Sequence, residues 1–157
     1  MGNFIRTSDR LVNLKNVSNI NILHGECNRV IFNMNYNIEM GKKQISDYVY
    51  WDATDLKELE RNIQYLKLNT YFCDNFIYQI DGKGFININE ISSVKLAPKK
   101  NRVIFNLSHP VSFRDFSGNE KLTSEFVYVN CNTLDKYKQY VEYVQQRLGE
   151  YNGSQNI

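Results

Sequence analysis

One hexapeptide occurs twice in this chain, as Asn28-Arg29-Val30-Ile31-Phe32-Asn33 and as Asn101-Arg102-Val103-Ile104-Phe105-Asn106, 73 positions apart. An identity of that length is not a chance event, so the fold must place the same segment twice. Both copies alternate. Val30, Phe32, Met34, Tyr36 and Ile38 fall on one side; Arg29, Ile31, Asn33, Asn35 and Asn37 fall on the other. In the second copy Val103, Phe105 and Leu107 oppose Arg102, Ile104, Asn106 and Ser108. A period of two over this length predicts a half-buried strand.

The flanks repeat as well. Phe4-Ile5 and the stretch from Leu11 to Ile22 predict short strands broken by Ser and Asn turn chemistry. After a turn at Gly41-Lys42-Lys43, Ile45 to Asp52 predicts a strand with Val49 and Trp51 on one face and Tyr48 and Tyr50 on the other. A helix follows, capped by Thr54 or Asp52, with Leu56, Leu59, Ile63 and Leu66 forming one apolar stripe. In the second half Phe85-Ile86 echoes Phe4-Ile5, and Ile91, Val94 and Lys95 echo Leu11, Leu14 and Lys15. Phe126 to Val129 echoes Tyr48 to Trp51, and a second helix, capped by Asn132, carries Leu134, Tyr137, Val141, Val144 and Leu148. Gly149 is the expected end of that helix.

The expected fold class is therefore α+β: two tandem ββββα repeats, each an antiparallel sheet with one helix, packed as an intramolecular pseudo-dimer. Residues 1–70 form the first repeat and 85–149 the second, with a frayed tail at 150–157. Residues 71–84 connect the repeats and end in the turn Asp81-Gly82-Lys83-Gly84. With Tyr71, Phe72, Phe76, Ile77 and Tyr78, this connector is too apolar for a free linker. One sheet with one helix buries too little surface to stand alone, which is the reason to expect the copies to pair about an approximate two-fold axis.

Composition narrows the function classes. The net charge of +2 permits an anionic partner without demanding one. Cys27, Cys73 and Cys131 are odd in number and widely spaced, which gives neither a disulfide framework nor a zinc pattern. The chain shows no signal-peptide pattern and no apolar run near 18 residues, so an intracellular, reducing, non-membrane setting is expected. Met1-Gly2 lacks the Ser or Thr at position six that myristoylation uses, since Arg6 stands there.

Catalytic and metal motifs fail on inspection. Gln79 to Glu90 has the glycine of a calcium loop at Gly84, but Gln79 and Lys83 occupy positions that need oxygen ligands. His24-Gly25-Glu26-Cys27 has no Pro-Cys-x-x-Cys partner, and His109 does not align with His24. No nucleophile elbow and no phosphate-cradling glycine loop is present. Asp47 and Glu125 align between repeats, as residues of solvated strand ends. No catalytic residue, metal or cofactor is expected.

The outward strand faces carry the candidate site. Arg29, Ile31, Asn33, Tyr48 and Tyr50 share one, and Arg102, Ile104, Asn106, Phe126 and Tyr128 share the other, with Lys42, Lys43, Lys99 and Lys100 in flanking turns. Aromatic rings stack on unpaired bases, Arg and Lys meet phosphates, and Asn reads base edges, which is the chemistry of single-stranded nucleic-acid binding. The same tyrosines would equally fill an interface between the two halves, with the arginines paired to acidic neighbours.

The hexapeptide strands, the pairs Val49-Tyr50 and Val127-Tyr128 and the two matching helices resemble, from Phe4 to Leu148, the plan of the Whirly and PUR-alpha class of single-stranded nucleic-acid binders. That resemblance implies units of four antiparallel strands and a helix that pair as dimers, and a partner that is single-stranded DNA or RNA. The alternative expectation is a protein-interaction or assembly module, adaptor or pleckstrin-homology-like, acting through a sheet face or an edge strand. Oligomerisation is compatible with either.

Overall fold

The computed structural model describes the backbone of residues 2–40, 43–114 and 120–155, and side chains outside 37–46, 109–125 and 150–155. The chain opens with a hairpin, β1 (Phe4–Arg6) and β2 (Leu11–Asn13), and a 3-10 turn at Leu14–Asn16. Three antiparallel strands follow, β3 (Val17–Leu23), β4 (Asn28–Met40) and β5 (Lys43–Ala53), and then α1 (Leu56–Lys67). A short helix, α2 (Thr70–Asn75), leads into a second hairpin, β6 (Phe76–Tyr78) and β7 (Gly84–Asn87), with its own 3-10 turn at Ile88–Glu90. Three further antiparallel strands, β8 (Ile91–Ala97), β9 (Arg102–Arg114) and β10 (Glu120–Asn130), precede α3 (Leu134–Gln155).

The class is α+β with antiparallel sheets, as expected. The strands do not divide four and four, however. They form a five-stranded sheet in the order β5-β4-β3-β7-β6, a three-stranded sheet β10-β9-β8, and the separate pair β1-β2. The stretch 71–84, expected as a connector, holds most of α2 and all of β6. The hairpin that stands before β8 as β1–β2 stands before β3 is thus β6–β7, so Phe76-Ile77, and not Phe85-Ile86, occupies the place of Phe4-Ile5.

The two three-stranded segments share one register. Val30 lies opposite Trp51, Ile31 opposite Tyr50 and Phe32 opposite Val49. Val103 lies opposite Val129, Ile104 opposite Tyr128 and Phe105 opposite Val127. Irregularities fall at matching places, between Val17 and Asn19 in β3 and between Ile91 and Ser93 in β8. A further shift after Asn33 breaks the alternation of β4, which leaves Tyr36 exposed and not on the inward side expected for it.

Each segment covers its own core. The first gathers Val30, Phe32 and Trp51 with Leu59 and Leu66 of α1; the second gathers Val103, Phe105 and Val129 with Tyr137, Tyr140 and Val144 of α3. Leu56 and Leu134, expected in the helix stripes, open their helices and stay exposed. The β6–β7 hairpin serves both cores, with Phe76 and Phe85 in the first and Ile77 and Ile86 in the second. Arg147 of α3 donates to the carbonyls of Cys73, Asp74 and Phe76, placing a cation where α2 ends.

The helix termini correct three expectations. Asp55, one residue beyond Thr54, caps α1, its carboxylate accepting from Glu58 N at 2.8 Å, while Thr54 donates to the Glu58 carboxylate. Thr133, one residue beyond Asn132, receives the Lys136 N–H at 3.2 Å. Gly149 lies inside α3, which runs on to Gln155.

Candidate nucleic-acid interface

A strand buries alternate residues, so the residues between Val30, Phe32, Val49 and Trp51 must leave the core. Residues directly opposite one another share a face. On the first sheet this gives three rows across β3, β4 and β5: Leu23, Arg29 and Asp52; Asn21, Ile31 and Tyr50; Asn19, Asn33 and Tyr48. On the second it gives Ala97, Arg102 and Asn130; Lys95, Ile104 and Tyr128; Ser93, Asn106 and Phe126.

The aromatic members are open to solvent. Tyr48, Tyr50, Phe126 and Tyr128 are 48%, 43%, 49% and 53% exposed. They are not packed between the two halves. In each sheet the two rings stack and an arginine lies over the inner one. Tyr48 and Tyr50 have centroids 5.0 Å apart at 26°, and the Arg29 guanidinium sits 4.0 Å above Tyr50. Phe126 and Tyr128 are 6.4 Å apart at 9°, and the Arg102 guanidinium is 5.4 Å from the Tyr128 centroid.

The arginines are held differently. Arg29 Nε donates to the Asp52 carboxylate at 2.5 Å, a bond that pushes the guanidinium's pKa up, while Asp52 remains largely exposed. Arg102 Nε donates to the neutral Asn130 amide oxygen at 2.7 Å. The neighbouring Tyr48 hydroxyl and then desolvation raise the pKa of Tyr50. Asn106 is engaged, its amide donating to Ser93 Oγ at 2.7 Å.

The remaining candidates separate. Lys99 and Lys100 are exposed in the 3-10 turn Pro98–Lys100, at the Arg102 end of β9, where Asn101 adopts a left-handed conformation and its carbonyl accepts from Cys131 N at 2.8 Å. Lys42 lies outside the described residues, as does the side chain of Lys43. Lys95 is exposed beside Ile104 and Tyr128 and was not singled out from the sequence. Its signal is weak, because Ser92, Ser93, Lys95 and Leu96 are all exposed and β8 shows no clean alternation.

The other motifs stay apart from this surface. Gln79 N donates to Gly84 O and Gly82 N to Gln79 O, both at 2.9 Å, closing the hairpin loop that carries the incomplete calcium pattern. Asp47 accepts from its own chain at Tyr48 N, and the side chains of Glu125 and His109 lie outside the described residues. Among the described residues no three His, Cys, Asp or Glu side chains gather as metal ligands, and no helix is long and apolar enough to cross a membrane. The chain matches no known protein family, and neither a curated protein nor a solved structure matches it.

Proposed function

We propose that the chain consists of two tandem copies of one hairpin, three-strand and helix unit packed as a pseudo-dimer, and that it binds single-stranded DNA or RNA on its open sheet faces. The observation that carries the proposal is the exposed stack of ring, ring and guanidinium repeated on both faces. Side chains two residues apart along a strand stand about 6.6 Å apart. That is close to twice the rise of about 3.4 Å for a stacked base. The parallel rings of Phe126 and Tyr128, 6.4 Å apart, form the slot nearest to that spacing.

In this reading a base enters between Phe126 and Tyr128, and its phosphates meet Arg102, Lys95, Lys99 and Lys100. Asn33 and Asn106 face the base edges. The first face, with Tyr48 and Tyr50 already closed on one another and Arg29 held by Asp52, adds stacking more than charge. Stacking supplies about 1–3 kcal/mol per base and the phosphate contacts make binding fall with salt.

Fluorescence anisotropy with labelled oligo-dT and poly-U at low and moderate salt tests this. Binding at low salt that weakens as salt rises is expected, with Tyr128→Ala lowering affinity about tenfold. No binding at low salt overturns the proposal. A second reading, a protein-interaction module, is favoured by the pairing of Arg29 with Asp52, which removes charge from the first face. Under that reading Tyr50 and Tyr128 are anchors for a protein partner, and their loss abolishes partner capture with no nucleic-acid signal to lose.

A further inference from the structure

We infer that the chain associates head to tail with further copies of itself, the β1–β2 hairpin of one molecule adding to the open edge of β8 in the next. The chain already contains the template for this joint. β3 carries β4 on one side and β7 on the other, with Asn19 opposite Ile86, Ile20 opposite Phe85 and Asn21 opposite Gly84. The Ile22 N–H extends the joint by donating to Lys83 O at 2.8 Å.

β8 has the register of β3 and lacks its outer neighbour. Ile91 stands opposite Leu107 as Val17 stands opposite Met34; Val94 and Leu96 stand opposite Phe105 and Val103 as Ile20 and Ile22 stand opposite Phe32 and Val30. Yet β8 ends its sheet. By that equivalence the backbone groups of Val94 and Leu96 face outward, where β3 uses its own to hold β7. Exposure follows. Val17 and Ile20 are fully buried, whereas Ile91 and Val94 are half-buried and Leu96 is 45% exposed.

The complementary element is the first hairpin. Thr7 N donates to Arg10 O at 2.9 Å just as Gln79 N donates to Gly84 O. Asn13 caps its 3-10 turn through Lys15 N, and Asn87 does so through Asn89 N. Both hairpins send one face into a core, Ile5 and Val12 in one case and Ile77 and Ile86 in the other. Their other faces differ in fate. Phe76 and Phe85 are buried, whereas Phe4 and Leu11 are 52% and 64% exposed. The Asn87 amide donates across the internal joint to Val17 O at 2.8 Å, and among the described residues the Asn13 amide has no acceptor.

Every molecule thus holds both halves of a second joint on different surfaces. Joining two unlike surfaces gives a heterologous contact, which propagates as a ring or a filament. One position opposes it. Arg10 stands where Gly84 stands, and Gly84 uses a φ of 158° that brings its backbone close against Ile20 O, a conformation Arg10 does not share. Arg10 would also face Lys95, as Gly84 faces Asn21. Backbone conformation and like charge at this point hold the association to high concentration, a form of edge protection.

Sedimentation velocity of the full chain over a concentration series tests the proposal, with circular dichroism confirming that each variant is folded. The average sedimentation coefficient is expected to rise with concentration, and Arg10→Gly to move the onset down about tenfold. Leu11→Glu, at an exposed site, is expected to give a monomer throughout. So is Leu96→Pro, which removes an outward N–H from an edge strand that tolerates proline. An equimolar mixture of these two variants should form dimers and nothing larger, because each retains one good surface. Wild-type and Arg10→Gly chains that are both monomeric throughout, or association that survives Leu11→Glu, would overturn it.

Discussion

The two sheet faces carry corresponding positions in the same order and differ in charge. On the first, Arg29 is bound by a carboxylate, Asp52, and Asn21 shares the row of Ile31 and Tyr50. On the second, Arg102 is bound by an amide, Asn130, and Lys95 shares the row of Ile104 and Tyr128. The cores diverge too, more narrowly. Asn62 of α1, whose buried amide nitrogen has no partner among the described residues, stands at the helical position that Tyr140 takes in α3. Tyr140 is buried, and its hydroxyl donates to Tyr78 O at 2.7 Å. The strand positions that face the core stay apolar in both copies, as Val30 and Phe32 match Val103 and Phe105, whereas outward positions answer only to solvent and partners. The contrast marks the second face as the more cationic, and α3 as the helix that sends a hydrogen-bonded aromatic inward where α1 sends an amide.

The largest test of this comparison lies in the cores. Phe32 and Phe105 are fully buried at equivalent positions. Phe32→Ala and Phe105→Ala should each cost about 3–5 kcal/mol in urea unfolding. Because β6–β7 lines both cores, each variant should still unfold in one transition seen alike by tryptophan fluorescence, which reports Trp51 in the first core, and by circular dichroism. Two separate transitions would show the cores to be independent.

A smaller effect separates the helices. Burial first, and then Tyr143 and Asp81, push the Tyr140 phenol far above the ordinary tyrosine value of 10.0. Folding therefore favours the neutral phenol. This contribution is complete below about pH 10, where tyrosine in the unfolded chain begins to ionise, and is lost as pH rises further. Tyr140→Phe should remove about 1 kcal/mol at neutral pH with the lost hydrogen bond and flatten the alkaline fall in stability. An alkaline limb as steep as that of the wild type would assign the effect to other tyrosines.

The smallest effect is the most direct on the faces. Asp52→Asn gives the first face the arginine partner of the second and should raise oligo-dT affinity a few-fold at low salt. Lys95→Asn makes the reverse exchange and should lower it by a similar factor, with a shallower salt slope. Equal responses from both variants in the same direction would break the comparison.

Much of this arrangement was legible in the residues. The alternation around Val30-Ile31-Phe32 and Val103-Ile104-Phe105 separates core from outer face correctly. It does not decide whether Tyr48, Tyr50, Phe126 and Tyr128 on that outer face meet solvent or the other half of the chain, because period two reports sides and not what covers them. The joint was not legible. Phe76-Ile77 and Phe85-Ile86 are apolar on consecutive residues because both faces of the hairpin are buried, and a strand buried on both sides has no period to detect. The helix starts were offset for a different reason. Asp52, Thr54 and Asp55, like Asn132 and Thr133, are all competent caps, and only backbone geometry chooses among neighbours. Gly149 signals a helix end by its conformational freedom, yet a single glycine weakens a helix by only about 1 kcal/mol, and α3 passes through it.

The sharing of one hairpin between two cores also sets an order of events during synthesis. Phe76 and Phe85, on either side of the chain's midpoint, complete the first core with Phe32 and Leu59. A growing chain that has released α1 into solution therefore holds an unfinished first core until the β6–β7 hairpin has emerged. By then the opposite side of the same hairpin already offers Ile77 and Ile86 as the floor on which β8 to α3 will settle. The first half waits for the second, and the segment that ends the wait begins the next stage.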